Sequence, residues 1–157
     1  MKDSGLVRIK LVICHNKKSN LKTGKEDKRL HLKFIEDAID RMASNSFLIK
    51  GWSITALGGL IAVYIGNQNK NWSYQLLVLT FALVIMFWGH DAYYLLLERR
   101  YRNLYEKVVD TDVEQIDYSM EPLDNGEKVW CVALAPILKF SYGIVFVVLL
   151  VILYIEK

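Results

Sequence analysis

Three runs of apolar residues, 47–66, 73–97 and 138–155, constrain this chain more than any other feature. Each is close to the length that the ~30 Å hydrocarbon core of a bilayer requires of a helix rising 1.5 Å per residue. Inside lipid the backbone N–H and C=O groups have no water to bond, so segments of this kind fold as helices. With 53% hydrophobic residues in 157, the chain is too apolar for an ordinary soluble domain. The expected fold is mainly α: three transmembrane helices, a cytoplasmic helical extension and a small strand element.

Ahead of the first run, residues 6–13 alternate apolar Val7, Ile9, Leu11 and Ile13 with Arg8 and Lys10, the period of a half-buried strand. A polar, Lys-rich loop follows. Thr23 and Glu26 stand at capping-box spacing and predict a helix start there. Leu32, Ile35, Ile39 and Met42 then recur at three- and four-residue steps opposite Glu36, Asp37, Asp40 and Arg41, predicting an amphipathic helix that ends at a polar joint, Ser44, Asn45 and Ser46. Residues 1–46 thus form a basic strand-and-helix region, and 67–72 are only a turn between spans.

Beyond the second run the same helix is expected to continue, because Tyr94, Leu97, Tyr101, Leu104 and Val108 keep a heptad-like seam that no Gly or Pro interrupts. Its natural partner is the face carrying Leu32 to Met42. Residues 98–129 comprise this extension and an acidic linker: 109–127 hold Asp110, Asp112, Glu114, Asp117, Glu121, Asp124 and Glu127 without any Lys or Arg. A short strand around 113–118 is compatible with that stretch. Residues 129–136 read as an interfacial segment, with Trp130 at headgroup height.

Basic residues set the expected orientation. Residues 1–46 hold eleven Lys or Arg and 99–129 hold five, whereas the 67–72 turn holds only Lys70 and the C-terminal tail only Lys157. The positive-inside rule then places the N-terminus in the cytoplasm of a multi-pass protein of the cell inner membrane. Cys14 and Cys131 lack metal-ligand spacing and fall on the reducing side, so two free thiols are expected.

A charge inside a span is costly enough to count as a functional candidate. Lys50, Asp91 and Lys139 interrupt the three spans. Counted from the outer ends they all lie ~24–26 Å deep, in one layer near the cytoplasmic interface. Three readings stand: Lys50 and Lys139 snorkel to headgroups while Asp91 pairs with one of them and holds the helices in register; Asp91, with His90 beside it, lines a water-filled path or gate; or Asp91 serves proton coupling. Along the first span, Gly51, Thr55 and Gly59 lie four apart, as do Gly58, Ala62 and Gly66, which allows close helix approach. The neighbour is a span of the same chain or of another subunit; a three-helix bundle is thin, which favours a homo-oligomer.

The pattern carries no catalytic signature. Thr23-Gly24-Lys25 lacks the first Gly of a P-loop, the three histidines make no metal motif, and no Ser sits in a nucleophile elbow. Neither an enzyme activity nor a metal or cofactor is expected. Lys17, Lys18, Lys22, Lys25, Lys28, Arg29 and Lys33, with Arg99, Arg100 and Arg102 from the facing helix, form a basic cytoplasmic surface. Such a surface attracts anionic membrane lipid or binds the phosphates of a nucleotide or oligonucleotide, with His31 and Tyr101 or Tyr105 placed to stack on a base. The acidic linker is a third candidate occupant when no ligand is bound.

The segments DRMASNSFLIKGWSIT (40–55) and WGHDAYYLLLERRYRNLYEKV (88–108) resemble small bacterial membrane proteins of anti-phage defence loci, the Hailong-type effectors. The resemblance covers about half the chain and implies a homo-oligomeric channel controlled by a nucleic-acid ligand that a partner nucleotidyltransferase makes. Conduction would depolarise the cell. The competing expectation is a membrane-anchored adaptor or sensor without a pore, binding a cytoplasmic partner or anionic lipid.

Overall fold

The computed structural model describes the backbone of residues 3–155 and the side chains of residues 22–154. Four helices follow one another: α1 (Asp3–Gly66), α2 (Ser73–Asp110), the short α3 (Val129–Ala133) and α4 (Pro136–Ile155). α1 and α2 form a long antiparallel hairpin, and α2 is the central element, packed against α1, α3 and α4. Among the described residues, three helices are long and apolar enough to cross a membrane, within Lys22–Gly66, Ser73–Asp110 and Pro136–Tyr154.

The turn between α1 and α2 closes through consecutive backbone bonds, Asn67 N to Tyr64 O, Lys70 N to Asn67 O and Ser73 N to Lys70 O. The Asn67 amide donates to the Val63 carbonyl, covering one of the acceptors that a helix end leaves open. α3 and α4 are separate because Pro136 has no N–H to continue α3, yet its fixed φ suits the first turn of the next helix. The Ala133 carbonyl, orphaned by that break, accepts from the Trp88 indole at 3.0 Å. The third candidate span accordingly starts at Pro136, two residues before the apolar pattern placed it.

Two apolar clusters hold the fold. Leu57, Val84, Ala92, Leu138, Tyr142 and Leu149 make one where the three candidate spans meet. The other lies in the basic half of the hairpin, where Ile35, Leu104 and Val108 pack with Leu32, Ile39 and Tyr101, and where the linker inserts Ile116 and Leu123. Outside these contacts no other described residue covers the candidate spans: only 17% of the most apolar window of α1, and the same share of α4, is buried. Phe47, Trp52, Phe140 and Tyr154 point outward. An apolar surface that extensive belongs in lipid or against another chain.

The structure departs from the sequence expectations in several places. Residues 6–13 are helical, within α1, and no strand occurs among the described residues. Leu6, Ile9 and Ile13 also recur at helical steps, and a lone strand has no ladder to satisfy its backbone, whereas a helix satisfies its own. The predicted start at Thr23 and the joint at 44–46 are likewise interior turns of α1. Serine and asparagine carry a helix penalty of only tenths of a kcal/mol, roughly, which packing against α2 overrides. Around 113–118 there is a single 3-10 turn, Val113–Gln115, followed by extended chain without strand pairing.

Candidate functional site: a buried acid–base pair and a strapped basic end

The antiparallel register of α1 and α2 places Ser46 and Lys50 opposite Asp91. Ser46, Lys50 and Ser53 are four and three residues apart and therefore share one face of α1. Asp91 is 0% exposed. Its Oδ1 accepts from the Ser46 hydroxyl at 2.5 Å and from the Lys50 ammonium at 2.8 Å. Lys50 Nζ also lies 2.7 Å from Oδ2, an ion-pair contact without hydrogen-bond alignment, and donates to the Ser46 hydroxyl at 2.7 Å. The Lys50 side chain keeps 25% of its surface exposed. From α4 the buried Tyr142 brings its hydroxyl beside Asp91 and Ser53, 3.4 Å from the Phe87 carbonyl.

All three candidate spans therefore contribute to the surroundings of Asp91, but Lys139 is not the contribution of α4. Lys139 is exposed and makes no ion pair among the described residues. It shares the depth of Asp91 but not its azimuth, since Leu138 and Tyr142 are the residues of that turn facing inward. His90 also faces away from the pair; it is exposed, with its Nδ1 2.9 Å from the Met86 carbonyl. Ser46, Ser53 and Tyr142 were missed because small polar side chains and a Tyr in an apolar run carry no signal unless the Asp91 helix is known to face them.

The basic end is divided. Lys17 and Lys18 lie outside the residues whose side chains are described. Lys22, Lys25, Arg29 and Lys33 are exposed along α1 and make no ion pair among the described residues. Lys28 has a different partner: its ammonium donates to the Val109 and Thr111 carbonyls at 2.9 and 2.8 Å, capping the C-terminus of α2 where the helix dipole favours a cation. Arg99 and Arg100 sit closer to the spans. With Ser46 level with Asp91, Arg99 is level with residue 38, roughly 14 Å along α1 from Arg29. The Thr55 and small-residue stripe behaves otherwise: Gly51, Thr55, Gly58, Gly59 and Ala62 are exposed, and a Cβ on any of the three glycines meets nothing within 4 Å. That stripe is not an intrachain packing face.

The acidic linker, residues 111–128, runs back along the hairpin from the end of α2 towards α3. At its start Val113 lies so close to α1 that a Cβ on Gly24 would come within 2.7 Å of Val113 Cγ1. Tyr118 then meets the buried His31 edge-on, ring centroids 5.4 Å apart. The linker ends on two ion pairs, Arg100 Nη2 to Asp124 Oδ1 at 2.8 Å and Arg99 to Glu127. Arg102, by contrast, pairs with Glu98 one turn away on its own helix. The two linker pairs are part-exposed, Asp124 by 69%, and each contributes about 1 kcal/mol or less. His31 is buried and covered by Tyr118, so its ring is closed to a base in this structure, while the part-exposed Tyr105 meets Glu36 through its hydroxyl.

Among the described residues no group of His, Cys, Asp and Glu is placed to hold a metal ion. Cys131 is an exposed free thiol. Comparison with family models, with curated proteins and with solved structures finds no match for the chain.

Proposed function

We propose that the protein is a homo-oligomeric membrane effector of the cell inner membrane, with its basic end in the cytoplasm, acting as an ion channel controlled there by a nucleotide or oligonucleotide. The observation that carries this reading is the unbroken course of α2, which joins Asp91 to Arg99, Arg100 and the linker in one rigid element. A ligand that moves the basic end therefore acts directly on the layer where the spans are pinned. In this reading the conformation described is the closed one, because a fully buried Asp91 lines no water path. The exposed small-residue stripe of α1 serves as the face on which copies assemble. The resemblance of 40–55 and 88–108 to Hailong-type effectors supports depolarisation as an anti-phage output, with the ligand made by a partner nucleotidyltransferase.

A second reading is favoured by the same buried pair. A buried carboxylate clamped by Lys50 and surrounded by three helices is what a non-conducting membrane-anchored adaptor or sensor also needs, its exposed Lys22, Lys25 and Arg29 then meeting a partner or anionic lipid. Ion flux from proteoliposomes containing the purified protein separates the two. The channel predicts flux that changes when nucleotides or oligonucleotides are added or removed. Silence under every such condition leaves the adaptor.

A further inference from the structure

Arg99 and Arg100 differ from Arg102 in where their carboxylate partners come from. Arg102 is neutralised within α2 by Glu98, whereas the partners of Arg99 and Arg100 both belong to the linker. We propose that Arg99 and Arg100 form a binding site for a phosphate-bearing anion, which the carboxylates of Glu127 and Asp124 occupy in this structure, making the linker a displaceable strap.

Arg100 shows that the present occupant fits incompletely. Only its Nη2 reaches Asp124, through one oxygen, while Nε is buried with no hydrogen-bond partner. A phosphate offers more acceptor oxygens than that single contact and takes the planar fork in pairs. A second polar group is left unpartnered beneath the same strap: His31 is 5% exposed, its Nε2 has no partner, and Tyr118 of the strap covers its ring. Both groups gain acceptors or water when the strap lifts. The clips are also weak enough to lose, since part-exposed pairs are screened and readily exchanged for another anion.

Lifting the strap has a mechanical consequence. Only Lys128 separates the Glu127 clip from α3, and α3 leads through Pro136 into the third candidate span. Release of Glu127 frees the lead into that span, which is then held by the Trp88 to Ala133 contact. This inference rests on the basic end being an anion-sensing surface and does not require a pore.

The test follows the strap directly. Leu123→Cys, in a full-length Cys14→Ser, Cys131→Ser background, is reconstituted in phosphatidylcholine nanodiscs, and its labelling by a charged maleimide is timed. Inorganic tripolyphosphate is expected to speed labelling about tenfold over sodium chloride of equal ionic strength, the scale set by losing two weak ion pairs. Acceleration instead only in nanodiscs containing phosphatidylglycerol assigns the site to a lipid phosphate. No acceleration in either, or equal acceleration by chloride, overturns the proposal. Asp124→Asn with Glu127→Gln is expected to label at the fast rate without added anion; labelling at the parent rate also overturns it. Should that variant not fold, the unsubstituted strap decides through the anion arms alone. Ion flux is read separately: a strap that releases with no flux sinks the channel reading and leaves the anion site standing.

Discussion

Asp91 is fully enclosed while a quarter of the Lys50 side chain remains exposed, so loss of either partner strands a different group. Removing Lys50 leaves a buried carboxylate with no cation, only the hydroxyls of Ser46 and Tyr142 beside it, and stranding a buried charge costs about 3–5 kcal/mol. Removing the charge at Asp91 leaves an ammonium whose long stem lets it reach a polar boundary, at a cost nearer 1–2 kcal/mol by the same reasoning. Lys50→Met is therefore expected to destabilise the protein clearly more than Asp91→Asn. The double change Lys50→Met with Asp91→Leu should recover most of the loss, since a well-packed apolar pair replaces a buried ion pair at little cost. Chemical unfolding in detergent of the two single variants and the double checks this, and equal losses in both single variants would contradict the asymmetry. Depth counting along the spans made the Lys50–Asp91 encounter legible in the sequence. It failed for Lys139 because rise along a helix says nothing about rotation around it.

At the scale of elements, the hairpin was readable where periodicity was strong. The steps at Leu32, Ile35 and Ile39 and the seam at Tyr101, Leu104 and Val108 are the residues of the second cluster. The continuous course of α2 past the apolar run, and the turn at 67–72, were readable for the same reason, there being no breaker in one and no room in the other. What misled was weak local signal: alternation over eight residues and a Ser-Asn-Ser triplet both gave way to the continuity of α1. The role of Lys28 was not readable either, because in sequence it is one of several lysines, and only the hairpin register brings it onto the Val109 and Thr111 carbonyls. Lys28→Met is expected to fray the last turn of α2 by roughly 1 kcal/mol, the usual worth of a partly exposed cation at a helix C-terminus. Hydrogen exchange at the amides of 107–111 should quicken several-fold while exchange around Asp91 stays unchanged. Protection unchanged at 107–111 would mean that the cap contributes nothing. The same consideration makes Lys25 and Arg29, and not Lys28, the clean positions for charge reversal when the proposed ligand control is tested.

For the whole molecule, α1 and α4 both pack on α2, and α1 keeps a long outward face. On that face stand Gly51, Gly58 and Gly59 with open space above each. A glycine inside a helix costs about 0.5–1 kcal/mol relative to alanine, and within one chain nothing is gained in return. In the proposed homo-oligomer, close approach by a second copy supplies the return, because small residues let helix backbones pack in lipid where no hydrophobic force drives association. Gly51→Leu with Gly58→Leu separates the possibilities. In a lone chain the added side chains meet only lipid, so thermal stability should hold or rise while the particle mass stays the same. At an interface they wedge the helices apart, and native mass in detergent should fall to that of a smaller particle with the monomer's helix content intact. We expect the second outcome, with Gly58→Ala keeping most of the assembly. An unchanged mass in the leucine variant would mean that this face of α1 carries no contact between copies.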